Sequence, residues 1–244
     1  MAAFEDYVTA VQRQIEEVTR GQRSAIDIAA RWVGEALILK RFLFVFGTGH
    51  SHMLAEELFY RAGGLARVIP ILDEPLMLHQ SATRSTEVER QTGYADQILG
   101  RYPLGIGDVL IVASNSGRNA VPIELAQGAR AKGARVVGLT SLQQTHAWPS
   151  RHPTGLRLKD VCDLVLDNGC GDGDAGTAVE GLEQKMGPTS SVIGVLLMNL
   201  IAIQAAHLAA AEGHEVDVFV SSNTRGDGHN ARLVSEISTT NPHL

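Results

Sequence analysis

Apolar residues recur every three or four positions near the start of the chain and then give way to short continuous apolar runs. Phe4, Val8, Val11 and Ile15 predict a first helix, and residues 24–40 predict a second. Beyond them, apolar runs of strand length alternate with amphipathic segments. This alternation predicts an α/β fold, a three-layer αβα sandwich with a mostly parallel, five-stranded, flavodoxin-like sheet.

The predicted elements follow an order that gives right-handed crossovers between strands. We expect strands at 42–46, 66–72, 108–113, 135–140 and 161–166, and helices at 51–62, 119–132 and 189–212. The polar segment 73–101 is expected to contain a further helix. Residues 1–40 are predicted to form a helical segment that packs on the domain or on a partner subunit, and residues 41–244 to form the ligand-binding domain.

Two of the predicted strands are followed by small polar loops that lead into a helix. The first loop is Gly47-Thr48-Gly49-His50-Ser51, and the second is Ser114-Asn115-Ser116-Gly117-Arg118-Asn119. A helix N-terminus has unpaired backbone N–H groups and the positive end of the helix dipole, which together bind phosphate. One such loop is equally typical of an ordinary turn and N-cap. Two of them in one domain predict a phosphate site at the carboxyl ends of the strands.

Composition and charge narrow the classes of protein. The 244 residues are 44% hydrophobic and 20% charged, with a net charge of −6. These values predict a folded globular protein without a nucleic-acid partner, because no basic stripe is available for a polyanion. Cys162 and Cys170 are too far apart for a C-x-x-C pair, which favours reduced thiols in a cytoplasmic protein. The N-terminus lacks the pattern of a signal peptide.

Residues 192–211 form an apolar stretch that is long enough to span a membrane. Asn199 and His207 interrupt it, and its many alanines are typical of a helix buried in a protein core, so we expect no membrane partner. The glycine-rich segment 168–174 departs from the calcium-loop template, since Gly176 stands where a ligand is required. We therefore expect this segment to be a rim of the site, without a metal.

With both loops and the strand order in place, the chain resembles sugar-isomerase (SIS) domain proteins over roughly residues 25–235. The two loops and Gly187-Pro188-Thr189-Ser190-Ser191 carry the resemblance. It is strongest to the bacterial sugar isomerase domain-containing proteins and weaker to phosphoheptose isomerases. The resemblance implies a phosphorylated sugar as ligand, no cofactor, and a homo-oligomer, either a dimer or a tetramer.

The resemblance also implies roles for individual residues. Phosphate binding falls by position on Ser51, Ser114, Ser116, Asn119, Gly49 and Gly117. Asn115 stands where many relatives have a hydroxyl residue, so one hydroxyl ligand is absent. Further substrate contacts are expected from His50, Arg118, Thr189, Ser190 and Asn223.

Residues 55–61, AEELFYR, resemble the A-E-E-L-x-x-R stretch of phosphoheptose isomerases, in which the second Glu is the catalytic base. In a helix with Leu54 on the buried face, Glu57 lies beside that face and Glu56 points away from it. This geometry favours Glu57 as the base. The alternative is that Glu57 only forms an i, i+4 pair with Arg61, which contributes about 0.3–0.5 kcal/mol.

A departure from the phosphoheptose isomerase pattern predicts the second proton-transfer group. Phosphoheptose isomerases carry a Gln and a His eight residues apart in the last long helix, and that Gln–His pair is not found here. Residues 187–191 instead resemble the helix start of arabinose-phosphate isomerases, which take a histidine from a later loop. The corresponding loop, 221–230, makes His229 the candidate, and a solvated or helix-capping histidine is an equal alternative. A metal site of His50, His52 and a carboxylate is disfavoured by the i, i+2 spacing.

Together these residues predict a sugar-phosphate isomerase that works through an enediolate, with Glu57 as general base and His229 assisting at oxygen. Two other functions stay open. One is an etherase-type lyase acting on an amino-sugar phosphate, which also begins with proton abstraction by a Glu. The other is a phosphosugar sensor without catalysis, although the first forty residues lack the basic helix-turn-helix segment that such sensors carry.

Overall fold

The structure, a computed structural model, describes residues 2–223 and 226–244 around one parallel sheet. Its five strands are β1 Leu43–Gly47, β2 Val68–Ile71, β3 Val109–Ala113, β4 Arg135–Thr140 and β5 Leu164–Asp167. The strand order is β2-β1-β3-β4-β5, so the chain reverses its direction across the sheet between β1 and β3. Ligands of such sheets bind at the carboxyl ends of the strands beside that reversal.

Helices cover both faces of the sheet. They are α1 Ala2–Gly21, α2 Arg23–Ile38, α3 Met53–Leu58, α4 Ala82–Val88, α5 Tyr94–Leu99, α6 Ala120–Ala131, α7 Leu142–Ala147, α8 Leu158–Val161, α9 Ser190–Ala211 and α10 Asp227–Ile237. Side chains of β1 alternate between the faces: Leu43 and Val45 pack with α2, α3 and α9, whereas Phe44 and Phe46 pack with α5, α6 and α8. The predicted αβα sandwich is confirmed.

The long apolar helix α9 packs against α2. A Cβ on Gly34 of α2 would lie 3.2 Å from the carbonyl oxygen of Ala205, so the missing side chain lets the two helices approach closely. By length and composition α9 is the one described helix that is apolar enough to cross a membrane, and 44% of its most apolar window is buried. Its packing against α2 and α3 is that of a core helix.

The two N-terminal helices share their core with the strands. Val18 of α1 and Val33 of α2 are buried in the same cluster as Val45 of β1. The Gln14 side chain of α1 also donates from Nε2 to the carbonyl oxygen of Asn168 at 2.8 Å, just beyond β5. A boundary between residues 40 and 41 stays a prediction.

The helix predicted at 51–62 is wrong beyond Leu58. A 3₁₀ turn at Gly49–His52 leads into α3, which ends at Leu58. Phe59 is extended and Tyr60 adopts a left-handed φ of 44°, with its ring 4.9 Å from that of Phe219. Packing on the C-terminal part of the chain therefore overrides the helical pattern.

Beyond the glycine-rich rim predicted at 168–174, the chain forms an antiparallel hairpin of β6 Ala175–Thr177 and β7 Met186–Pro188. Strands of three residues are too short for an alternation of apolar and polar positions to show in the sequence. The Tyr7 hydroxyl of α1 donates to the carbonyl oxygen of Pro188 at 3.1 Å, which ties the hairpin to the first helix.

Candidate functional site

The loop after β1 turns sharply at Gly47, where a Cβ would overlap the carbonyl oxygen of Ser51. Gly49 adopts a left-handed φ of 55° and begins the 3₁₀ turn that brings Ser51 to the carboxyl edge of the sheet. The Thr48 hydroxyl donates to Oε1 of Glu89 at 2.7 Å. No described residue hydrogen-bonds the Ser51 hydroxyl, so it is available to a ligand.

The loop after β3 is built in a similar way. Gly117 adopts a φ of 58°, and a Cβ there would lie 2.8 Å from Oγ1 of Thr140, so glycine fits best. The Ser114 hydroxyl oxygen accepts from the N–H of Gly117 at 3.3 Å, which leaves its proton free to be donated. Asn119 precedes α6 without capping it, and its amide oxygen instead accepts from Nη1 of Arg151 at 3.2 Å.

The two loops meet in one cavity, termed the cradle. The polar residues that line it are Ser51, Ser114, Asn115, Asn168, Ser190 and Ser191. Four hydroxyls and two amides around one concavity suit a phosphate group, which accepts several hydrogen bonds. The cavity measures about 10 Å³, room for about one water molecule. A phosphate group therefore enters only if the lining side chains move apart.

Amide side chains complete the cradle, and sequence reasoning missed one of them. Nδ2 of Asn168 donates to Oδ1 of Asn115 at 2.7 Å, and Nδ2 of Asn115 donates to Oε1 of Gln144 at 2.7 Å. Asn168 directly follows β5, as Ser114 follows β3, and this placement is the signal that could have found it. Ser191, next to the predicted Ser190, was missed as well.

Ser116 and Arg118 do not line the cradle. They line a second, larger pocket beside it, on the other side of the loop after β3. Asn119 is buried against Arg151 and lies outside the cradle too. The grouping of Ser116, Arg118 and Asn119 with the first loop is therefore not what this structure shows, because successive loop residues point to different sides.

A carboxylate of the protein itself occupies the N-terminus of α9. Oδ1 of Asp174 accepts from the backbone N–H groups of Thr189 at 3.1 Å and Ser190 at 2.9 Å, and Oδ2 accepts from the Ser190 hydroxyl at 2.5 Å. Asp174 adopts a φ of 65°, uncommon for a residue with a side chain. Thr189 is buried, with Oγ1 3.4 Å from Sγ of Cys170. The predicted contacts Thr189 and Ser190 are thus already engaged within the chain.

Glu57 lies near the end of α3, one turn beyond Leu54, which lines the cradle. Its carboxylate forms an ion pair with Arg61 and accepts a hydrogen bond from Nδ2 of Asn199 on α9 at 2.9 Å. The Glu57 side chain is 24% exposed, against 52% for Glu56. The pairing with Arg61 is present, and Asn199, which sequence reasoning missed as a site residue, is a second residue that holds the Glu57 carboxylate.

His229 lies away from the cradle. Residues 217–219 are hydrogen-bonded to residues 64–66, ahead of β2 and at the opposite edge of the sheet from the cradle. His229 is exposed in the first turn of α10, and its Nε2 donates to the carbonyl oxygen of Val218 at 2.9 Å. Within one chain, this histidine therefore does not meet the two loops that form the cradle.

Asn223 is also distant from the cradle and lines a separate pocket of about 210 Å³ with Arg61 and Asn230. That pocket shares Arg61 with the ion pair of Glu57. Residues 224 and 225, in the loop predicted to supply the histidine, lie outside the described residues.

The histidines of the first loop differ in their surroundings. His50 is exposed, whereas His52 is buried, contacts the carbonyl oxygen of Gly49 through Nδ1, and meets the His79 ring edge-on at 6.2 Å between centroids. Among residues 2–223 and 226–244, no three His, Cys, Asp or Glu side chains come together as they would around a metal ion. The contact of His50 with substrate stays a prediction.

Comparison with known proteins finds a matching family, close relatives in sequence and a similar solved structure. A family model described as SIS domain matches residues 6–141. A UPF0309 protein of Halalkalibacterium halodurans is 41% identical over 239 residues, which cover 98% of this chain and 96% of that protein. A UPF0309 protein of Geobacillus thermodenitrificans is 39% identical over 242 residues, covering 99% and 97%. A phosphoheptose isomerase structure from Neisseria gonorrhoeae superposes with a TM-score of 0.54 at 16% identity, covering 84% and 97%.

The structural match at this level of identity concerns the fold, and it agrees with the parallel sheet and its strand order. The family model spans more than half of the chain and includes both phosphate-type loops. The UPF0309 relatives align over nearly the whole length. The chain therefore belongs to the SIS domain family.

Proposed function

We propose that this SIS domain protein binds a phosphosugar in the cradle and interconverts its aldose and ketose forms. Family membership and the fold shared with phosphoheptose isomerases support phosphosugar binding. The observation that carries the proposal is the meeting of Ser51 and Ser114, from two separate loops, in one cavity at the carboxyl edge.

The phosphate is held by the hydroxyls of Ser51, Ser114 and Ser191, which line the cradle. Its position is remote from the carbons that react. The free energy of binding the phosphate can therefore be used to place those carbons against the catalytic groups.

Glu57 is the proposed base. Leu54, which lines the cradle, precedes it by three residues, or about 5 Å along the helix axis. A sugar whose phosphate lies in the cradle can thus extend to the Glu57 carboxylate. The carboxylate takes a proton from the carbon next to the carbonyl group, which gives an enediolate, and returns that proton to the neighbouring carbon. Asn199 orients the carboxylate through its hydrogen bond.

An isomerase also needs a group that moves the oxygen-bound protons. His229 is the candidate from the sequence. Because it lies far from the cradle of its own chain, it can act only in the site of a second subunit. His207 is a further candidate, because it follows Asn199 by eight residues on α9, the spacing of the Gln–His pair in phosphoheptose isomerases, with Asn in place of Gln. His207 is exposed and is free to enter the site of a second subunit.

Glu57→Gln tests the proposal, with Glu56→Gln as the matched control one residue earlier. Turnover is measured on a panel of four- to seven-carbon sugar phosphates, and binding is measured separately by calorimetry. We expect Glu57→Gln to lower turnover by about 100-fold or more while binding is kept. Glu56→Gln should leave both unchanged. Turnover near the wild-type rate in Glu57→Gln would contradict the role of Glu57 as base.

Two observations favour a second function, phosphosugar sensing without catalysis. The ion pair with Arg61 engages the proposed base, and His229 lies at the other edge of the sheet. A sugar phosphate that raises the Tm and is recovered unchanged would support sensing. Loss of a lactyl group from an amino-sugar phosphate, read by product mass, would instead identify the lyase, which starts with the same proton abstraction.

We also infer a cytoplasmic homo-oligomer, a dimer or a tetramer. On α9, Val192 is 43% exposed and Ile203 is 66% exposed, which leaves an apolar side that a second copy can cover. Analytical ultracentrifugation of the wild type and of Ile203→Glu measures the subunit count and the effect of placing a charge on that side.

A further inference from the structure

A larger pocket lies beside the cradle and is termed the arginine pocket. It is lined by Ser116, Arg118, Gln144, Trp148, Arg151 and Asp172 and has a volume of about 470 Å³, in the range of small-molecule sites. It adjoins the cradle because Ser116 follows Ser114 and Asn115 in one loop. The hydrogen bond of 2.7 Å between Asn115 and Gln144 separates the two spaces.

Two guanidinium groups in this pocket have no carboxylate partner. Within the described part of the chain, neither Arg118 nor Arg151 has an Asp or Glu oxygen within 4.0 Å. Arg118 donates from Nε to the carbonyl oxygen of Pro149 at 2.9 Å and lies 5.9 Å from the centroid of the Trp148 ring. Arg151 donates from Nη1 to Asn119 at 3.2 Å. Each guanidinium has five N–H donors, so donors are left for an anion.

The positive charges beside Arg151 favour an incoming anion, whereas the carboxylate of Asp172 in the same pocket opposes one. Partial burial, together with the positive charges of Arg118 and Arg90, lowers the pKa of the Arg151 guanidinium, and Glu89 acts in the opposite direction. Asp172 also lines the pocket, with Oδ1 held by an indole N–H at 2.7 Å. An anion bound between the arginines would relieve the repulsion between two positive charges.

We propose that Arg118 and Arg151 bind a second anionic group while the cradle holds the phosphate of the sugar. The binding of the sugar phosphate in the cradle is the part that rests on the proposed function. Arginine pairs with phosphate and carboxylate groups through two parallel hydrogen bonds. Ser114 in the cradle and Ser116 in the arginine pocket are two residues apart, so their Cα atoms are at most about 7 Å apart. One ligand with two anionic groups can therefore reach both sites, and so can two separate molecules.

Calorimetry with three probes tests the proposal and distinguishes these two sources. The probes are a hexose 6-phosphate, a hexose 1,6-bisphosphate, and inorganic phosphate added to protein that is saturated with the hexose 6-phosphate. The test variant is Arg118→Gln/Arg151→Gln, and Arg31→Gln, which removes an exposed arginine of α2, is the control.

If the second group belongs to the sugar, the bisphosphate binds about 10-fold or more tightly than the monophosphate, with one molecule per chain. If it is a separate ligand, inorganic phosphate binds to the saturated protein. Either effect must disappear in the double variant and persist in Arg31→Gln, with thermal unfolding showing that each variant is folded. The proposal is overturned if the double variant binds the bisphosphate as tightly as the wild type does and also binds inorganic phosphate as tightly as the wild type does.

Failure of the cradle gives a different result. If no phosphosugar binds to the wild type, yet inorganic phosphate binds and is lost in the double variant, the arginine pocket is supported and the proposed function is refuted. If the monophosphate binds and neither second anion depends on the arginines, the proposed function stands and the arginine pocket is refuted.

Discussion

The carboxyl edge of the sheet and the C-terminal tail, residues 217–244, are held in place by different means. At the edge, β1 and β3 are buried along their whole length and pair residue by residue, from Leu43 with Val109 onward. The tail is attached by individual bonds, such as the one from Nδ2 of Asn241 to the carbonyl oxygen of Val68 at 3.1 Å. Its apolar residues join a small cluster apart from the two main cores.

This difference shows which functional residues can be located from their spacing along the sequence. Loops that follow adjacent parallel strands end side by side, so Ser51 and Ser114 must meet. His229 has no such constraint, because its position depends on how the tail packs on residues before β2. The cradle is a consequence of the sheet, whereas the proposed pairing of Glu57 with His229 depends on contacts between segments that are distant in sequence.

The largest expected effect is at the edge. Gly47→Val should lower the free energy of unfolding by about 3 kcal/mol, because any Cβ there overlaps the carbonyl oxygen of Ser51. Asn241→Ala, in the tail, should cost about 1–2 kcal/mol through the unpaired Val68 carbonyl. Denaturant titration measures both, with Gly21→Ala, where nothing lies within 4 Å, as a control near zero. Equal losses at Gly47 and Asn241 would remove the contrast between edge and tail.

Ligand binding should separate the same two regions. Ser51→Ala removes a hydroxyl donor from the cradle and should weaken phosphosugar binding by about 10-fold. Asn223→Ala, in the pocket of the tail, should leave affinity unchanged if the phosphate lies at the edge. Calorimetry compares them. A larger loss in Asn223→Ala would place the ligand at the tail and overturn the proposed cradle.

Sequence reasoning predicted the fold because buried parallel strands appear as apolar runs that alternate with amphipathic helices. It predicted Ser51 and Ser114 because they lie in the polar loops that follow two of these runs, and the resemblance to SIS domains implied their role. It could not predict that α3 ends at Leu58, since Tyr60 packs on the distant Phe219. The support of Glu57 by Asn199 depends on how α9 lies beside α3, which no local spacing encodes.

Asp174 links the edge to the hairpin, and its removal should have a smaller effect of opposite sign. Its carboxylate occupies the N-terminal donors of α9 beside the cradle. Asp174→Asn removes a negative charge there, so the affinity for inorganic phosphate should rise about 3-fold, in line with the strength of a charge at a helix terminus. Glu183→Gln, which removes an exposed carboxylate between β6 and β7, is the matched control. Weaker phosphate binding in Asp174→Asn would show that Asp174 shapes the cradle instead of competing for it.

The smallest effect concerns the attachment of the tail and its dependence on pH. Burial lowers the pKa of His243, although a hydrogen bond with the backbone of Pro70 opposes the shift, and Nε2 lies 3.0 Å from the Tyr102 hydroxyl. The unfolded chain, with a histidine pKa of about 6.5, then binds a proton more readily than the folded chain. Stability from this group is present above that pKa and is lost as the pH falls below it.

His243→Phe should therefore flatten the decline in unfolding free energy between neutral pH and about pH 5.5. His214→Gln, which changes an exposed histidine, should leave the slope of unfolding free energy against pH as it is. Because the slopes are compared, the hydrogen bond that His243→Phe also removes shifts the curve without changing the conclusion. An unchanged slope would mean that His243 reaches water freely and that the tail is held by Asn241 and the apolar cluster alone.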